Sequence, residues 1–570
     1  MDSARSMPEE QPHKLKQSTQ AVLFVLVCVA GIGGLVGSAF STKGLERRVN
    51  QISNHHQQAA GLLEVVAEVD QQFQQQWKER SLSFAPAAHA LTVMRRASLA
   101  LHGTIPSLEE VKAFALESGY EMTDDKVIDR YVNYLLMDRR YSDYLSERFA
   151  RIFVGVDAGP FLIYRRGRFR LWLSDQLMDN KPYDELVHSL IDSKGVWTSD
   201  PEVNFVTAAI TEGEGGRPDV MKLAGRTSRA FLGMRIDCLQ CHDDRLGTIA
   251  LNPNDPTEGG LQSDFHQFAA FYSQVKTGLY GVDDDAEHYA YKYLGNEEEV
   301  IVPPVVPFFQ ELSDSKGTRR GQLADWVTHP DNRAFARTAV NRIWAIVFGR
   351  PLVVPVDDIP LAGPFPVGLE VLTDEFVESG FDLKHLIRVI TRLQVFRLDS
   401  RADFEVTEAH EAVWSVFPLV RLRPEQVAGA LNQTASLQTI NADVSYLIRL
   451  QQQNEINNFV KRYGDTGEDE FEDRGGTVTQ RLLLMNGNLS QSRIANGNGG
   501  NASARIGRLT EDDEDAIRAA YLTVLTRSPS QAELLYFLKK FREKPDAQRG
   551  RVIEDLFWTL TNSTEFSWSH

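Results

Sequence analysis

Five consecutive residues, Cys238-Leu239-Gln240-Cys241-His242, form a C-x-x-C-H. That spacing is the pattern for covalent attachment of a c-type haem. On a helix the cysteines stand at i and i+3, so both sulfurs emerge on one side. Each thiol can then add across one of the two haem vinyl groups. His242, at i+4 from Cys238, can bring an imidazole nitrogen to the iron from the same face as proximal axial ligand. A second axial ligand would come from another segment and set the redox potential. A five-residue pattern arises by chance in a chain of this length rarely, but not never. Two features strengthen it. The only other cysteine is Cys28, in an apolar segment near the N-terminus. That segment is of export type, as haem attachment to an exported chain requires.

Other chemistries use the same residues. A redox C-x-x-C pair or a plain disulfide works without His242, but the βαβ context of a thioredoxin is missing. A zinc site finds two thiolates and no second cysteine pair. The distal ligand is open. Met221 and Met234 lie on the helix expected to lead into the motif. Along a straight helix Met221 would be ~25 Å away, and Met234 would lie beside the attachment edge. His266, in SDFHQFAAFYSQV with Phe265, Phe268, Ala269 and Tyr272 as an apolar wall, is the first candidate. His288 and His188 are weaker, and an open five-coordinate iron is equally allowed. Arg245 beside the motif is read as solvating a helix end. No G-x-S-x-G, H-E-x-x-H, Walker loop or G-x-G-x-x-G occurs, so no hydrolase or transferase chemistry is indicated. Asp357–Asp358 and Asp283–Asp285 read as solvated loop carboxylates, and Trp326 and Trp344 as core.

The elements that must position this motif start from the N-terminus. Residues 21–40 (AVLFVLVCVAGIGGLVGSAF) carry no charge over twenty residues. At ~1.5 Å per residue they span the ~30 Å hydrocarbon core once. An uncleaved anchor is the preferred reading. Gly37 and Ala39 leave signal cleavage as the alternative. Residues 1–20 would then be a cytoplasmic tail, and the body would face the periplasmic side of a bacterial inner membrane. Over 44–80, Leu45, Val49, Ile52, His56, Ala59, Leu63, Val66, Asp70, Phe73 and Trp77 follow a heptad seam. This predicts a helical stalk of ~55 Å, with a homo-oligomer as its corollary. The alternative is an amphipathic helix folded onto the body.

Helical periodicity continues over 84–299. Ser107 and Glu110 make a capping-box pattern. Val127, Ile128, Tyr131, Val132 and Leu135 share one face. Val220, Ala224, Thr227, Phe231, Met234 and Cys238 share another. Three prolines in VIVPPVVPFF predict an extended linker over 300–316. Helices resume over 317–570, with Asp382 as an N-cap and Gly380 as a stop. The fold class expected is mainly α: a transmembrane helix, a helical stalk and two multi-helix globular domains. The 570 residues include 61 Lys plus Arg against 78 Asp plus Glu, a net charge of −17. That balance argues against nucleic acid as a partner. Three cysteines exclude a disulfide-stapled scaffold.

The chain also resembles the planctomycete cytochrome-like family, in which a helical domain with C-x-x-C-H precedes a second helical domain of unknown function. The resemblance is carried by MRRASLALHGTIPSLEEVKAF (94–114), AFLGMRIDCLQCHDDRLG (230–247) and FHQFAAFY (265–272). RRGQLADWVTHPDNRAFARTAVNRIWAIVFGRPLVVPVDDI (319–359), SGFDLKHLIRVI (379–390), LLLMNGNL (482–489) and DLFWTLTNSTEF (555–566) extend it to about 85–570. It implies Cys238, Cys241 and His242 as a cytochrome-type site. The family usually continues with a second His and a Pro; here Asp243, Asp244, Arg245 and Leu246 follow. The function expected is a membrane-anchored c-type cytochrome-like protein with one covalent haem, passing electrons to a redox protein partner in the cell envelope. The alternative is an envelope binding or scaffold protein with a C-x-x-C disulfide and no haem.

Overall fold

A computed structural model describes residues 59–116, 125–156, 166–210, 217–255, 257–278, 280–314, 316–440, 446–464, 471, 475–494, 500–545 and 548–570. The anchor expected at 21–40 and the first part of the stalk lie outside these residues. Among the described residues no helix is long and apolar enough to cross a membrane.

The described chain is mainly helical. The helices that matter below are α1 (Ala59–Glu79), α2 (Ala90–His102), α3 (Val220–Thr227), α4 (Gln262–Ala269), α5 (Arg333–Phe348), α6 (Leu369–Glu378) and α7 (Leu383–Arg392). Strands are short and pair antiparallel in twos: β1 (Val275–Gly278) with β2 (Gly281–Asp284), β3 (Ala290–Tyr291) with β4 (Val300–Ile301), and β5 (Val420–Arg421) with β6 (Trp568–Ser569). The local signals act as their chemistry requires. Ser107 and Glu110 close a capping box, although only one α-turn follows before the helix widens into a π-turn. The Asp382 carboxylate accepts from the His385 amide at 2.8 Å and starts α7. Gly380, at φ +69, ends the stretch after α6, because only glycine takes that conformation without strain.

Helix α1 is helical as the seam predicts, but it is not a free stalk. It packs on α6 and α7. Val66, Val69, Phe73 and Trp77 are buried. The Trp77 indole donates to the Val413 carbonyl at 2.8 Å, and Phe73 stacks on Trp344 at 6.1 Å. The seam finds its apolar surface within the same chain, and each buried side chain contributes roughly 1.5–3 kcal/mol. Over 59–79 the helix is folded onto the body, which is the alternative reading of the seam.

Gln58–His570 forms one compact unit. Helix α2, nearly all buried, packs on α5 and on β6. Arg95 donates to the carbonyls of Val524 and Phe566, and Arg96 to those of Phe396, Leu398 and His570. One apolar cluster joins Leu99 and Ile105 to Leu431, Ile517, Leu556 and Phe566. Residues 300–316 are largely extended, as their prolines require, yet Val302, Val306 and Phe308 are buried. Phe308 packs on Trp326 at 4.9 Å. This segment is a strap bound to the body. Trp326 and Trp344 are core, as expected.

Candidate functional site

The helix expected to run from Val220 through Cys238 is broken. Asp219 caps α3 through the amides of Met221 and Lys222. A π-turn, Ser228–Leu232, follows α3 and ends at Gly233, with φ +61. A Cβ there would meet the Thr338 hydroxyl at 2.5 Å, so only glycine lets the chain turn this close to α5. The chain then enters a single 3₁₀ turn, Asp237–Gln240, which packs on α4. Ile236 and Leu239 anchor it in the core.

Cys238 and Cys241 are free and exposed. The Cys241 amide donates to the Cys238 carbonyl at 3.3 Å, closing the turn. In 3₁₀ geometry i and i+3 eclipse, so the two thiols share one side. His242 is exposed, and its Nδ1 contacts the Asp243 carbonyl at 2.9 Å. A carbonyl only accepts, so Nδ1 is the donor in this contact. Nε2 has no protein partner among the described residues.

The carbonyl of Gln240, between the two cysteines, accepts from three side chains. These are His266 Nε2 at 3.0 Å, Gln262 Nε2 at 3.2 Å and the Tyr291 hydroxyl at 3.3 Å. His266 is fully buried on α4. Its Nδ1 meets the Tyr289 hydroxyl at 2.8 Å, and its ring stacks on Tyr291 with centroids 3.4 Å apart. Since Nε2 donates to a carbonyl, Nδ1 must accept from Tyr289. Burial pushes the imidazole below its ordinary range, which favours this neutral form. His266 is thus beside the motif, as expected, but both nitrogens are engaged in holding the turn. Binding a metal would break one of those bonds.

The break at Gly233 moves Met221. The Gln240 side-chain amide donates to the Met221 sulfur at 3.3 Å. The ~25 Å separation of a straight helix does not apply, because the chain folds back. His288 is exposed, and His188 pairs with Asp325 at 3.0 Å.

The loop after the motif is ordered by carboxylates. Asp243 accepts from the Gln262 amide at 2.9 Å. Asp244 accepts from the amides of Ile249 at 2.6 Å and Leu246 at 3.0 Å. These donors hold its carboxyl below the usual range. Leu246, Leu261 and Leu294 are 88%, 49% and 78% exposed. Leu261 precedes Gln262 in the chain, and the Leu294 amide donates to the Gln262 side chain. Leu261 and Leu294 therefore lie exposed next to Gln262, which holds the turn.

Among the described residues no group of three or more His, Cys, Asp or Glu could hold a metal ion. The other acidic pairs are ion-paired instead of simply solvated. Asp284 takes a two-point contact from buried Arg320, at 2.8 and 3.1 Å, and Asp357 pairs with Arg235 at 2.7 Å. Sequence reasoning missed Gln262, Tyr289, Tyr291 and Tyr293. The three tyrosines alternate along the chain, a period-two signal that puts them on one side of an extended segment.

Residues 68–277 match the family model PSCyt2, described as a protein of unknown function (DUF1549). Residues 319–540 match PSD1, described as a protein of unknown function (DUF1553). No curated protein and no solved structure matches the chain.

Proposed function

We infer a role for a chain that belongs to the planctomycete family of two domains of unknown function, and propose that it carries one covalent haem c at Cys238–His242 for electron transfer in the cell envelope. One observation carries the reading. Two free, exposed thiols close a single turn, and the next residue is an exposed imidazole with Nε2 unengaged. This donor set fits the group. Cys238 and Cys241 would hold it by thioether bonds, and His242 Nε2 would be the proximal ligand. Met221, whose sulfur meets the Gln240 side-chain amide, would be a further residue to hold the iron, in place of His266. When bound, the haem supplies a one-electron iron couple tuned by its axial ligands.

The remaining residues serve the turn. His266, Gln262 and Tyr291 fix the Gln240 carbonyl and hence the spacing of the thiols. The exposed leucines offer an apolar seat that lowers the water contact of a bound group. Anchoring by residues 21–40, an outward-facing body and a redox protein partner complete the proposal and rest on the sequence. The test is the absorption spectrum of full-length protein made in a haem-competent host. A haem band that survives denaturation and acid–acetone extraction is expected, and Cys238→Ser with Cys241→Ser should abolish it. Loss of the band from the unmodified protein refutes the proposal. A reducible Cys238–Cys241 disulfide in its place supports the scaffold alternative.

A further inference from the structure

A cavity of 850 Å³ lies between the end of α5, the loop after it, and the β5–β6 ribbon. That volume suits an organic ligand. Its charge runs against that of the chain. The protein has a net charge of −17, yet among the described residues seven arginines and no lysine line this cavity, against two carboxylates, Asp357 and Glu411.

The arginines divide by partner. Arg235 pairs with Asp357 at 2.7 Å and Arg350 with Glu411 at 3.8 Å. Arg229 and Arg423 pair with carboxylates off the cavity wall, Asp237 and Glu425. Arg96, Arg342 and Arg421 pair with no Asp or Glu side chain among the described residues, and Arg96 Nε meets the main-chain oxygen of His570 at 2.7 Å. Arg96 and Arg342 are buried and spend part of their donors on backbone carbonyls. Arg96 Nη2 and Arg342 Nε remain buried without an acceptor. Arg421 is half-buried, and among the described residues its side chain makes a long 3.5 Å contact to the Tyr463 hydroxyl.

Buried donors of cationic groups are costly without an acceptor. The planar guanidinium fork matches a carboxylate or phosphate oxygen pair. Val347, Pro355 and Leu419 supply apolar wall between these cations. We propose that this cavity binds a small organic anion carrying two or more oxyanion groups, with Arg421 as a principal contact and Arg350 beside it. The ligand supplies oxyanion acceptors to the arginines that face no carboxylate side chain among the described residues. The site is separate from the C-x-x-C-H turn, although Arg229 on its wall pairs with Asp237, which precedes Cys238.

The test is calorimetric titration of the detergent-solubilised full chain at fixed ionic strength. Citrate and fructose 1,6-bisphosphate are the probes, and they distinguish carboxylate from phosphate-ester ligands. Sodium sulfate and sodium chloride control for general salt effects. At least one probe should bind saturably. Arg421→Gln should weaken that binding at least tenfold and leave the melting temperature of the unliganded protein unchanged. Arg350→Gln should weaken it too, which covers the case in which Arg421→Gln does not fold. The exposed control Arg551→Gln should bind as the parent does. Absence of saturable binding by both probes overturns the proposal. So does equal binding by the folded Arg421 or Arg350 variant and the control. Protein with both motif cysteines changed to serine should bind the probe normally, so failure of the haem reading leaves this test intact.

Discussion

At the residue scale the Gln240 carbonyl is the point on which the site turns. Three donors converge on an atom between the two cysteines, and the strongest by geometry is His266. Replacing His266 with Phe keeps the ring volume but strands the Tyr289 hydroxyl and removes one of the three donors. Each buried polar group left unmet costs about 1–3 kcal/mol. Chemical denaturation of His266→Phe should show a loss of that size. If Met221 is the second axial ligand, the spectrum of the folded variant stays that of the parent. A spectral change equal to that of Met221→Ala would give the ligand role back to His266. The C-x-x-C-H was fully legible in the sequence because its meaning lies in residue type and spacing. The role of His266 was not. A buried imidazole reads the same in sequence whether it faces a metal or a carbonyl, and the tyrosine that fills its second nitrogen lies 23 residues away.

At the element scale, α1 is the clearest departure from expectation. A heptad seam reports only that one helical face is apolar, not whose surface covers it. Here Val66, Phe73 and Trp77 meet the chain's own body. Asp70, the one carboxylate in the seam, accepts from the Gln394 amide at 2.7 Å and ties α1 to the chain just after α7. Burial pushes its carboxyl up to about 6, only partly offset by that bond and by Arg397. The folded state therefore holds this proton to higher pH than the unfolded chain does. Stability falls as pH rises from about 4 to 6 and Asp70 ionises in place. Asp70→Asn keeps an oxygen acceptor for Gln394 without the charge. Thermal melts should match the parent near pH 4. Above pH 6 the variant should gain roughly 1–2 kcal/mol, the partial exposure of the carboxyl reducing the full value of the shift. The broken helix at Gly233 has a similar lesson. The apolar periodicity runs on past it, but the close approach to Thr338 that forces the turn is a tertiary contact and leaves no local trace.

At the scale of the whole molecule, two family models meet in one compact unit. The composition and periodicity disclosed a mainly helical body, and the prolines of 300–316 an extended passage. They did not disclose that α2 also reaches residues of the C-terminal part. Arg95 and Arg96 reach main-chain oxygens 300 or more residues further along the chain, including that of His570. Denaturation of the full chain, followed by helix signal and by tryptophan emission, should therefore show a single coincident transition for both parts. A chain cut within 300–316 should yield halves that do not fold alone, since Arg95 and Arg96 would then be buried cations without their carbonyls. The proposed haem site is one short turn of this scaffold, and the most direct test is made there. Trypsin should release Ile236–Arg245 from full-length protein made in a haem-competent host. Mass spectrometry of that peptide should find one haem linked to both Cys238 and Cys241. The same peptide with two free thiols, or with a Cys238–Cys241 disulfide, would contradict the account.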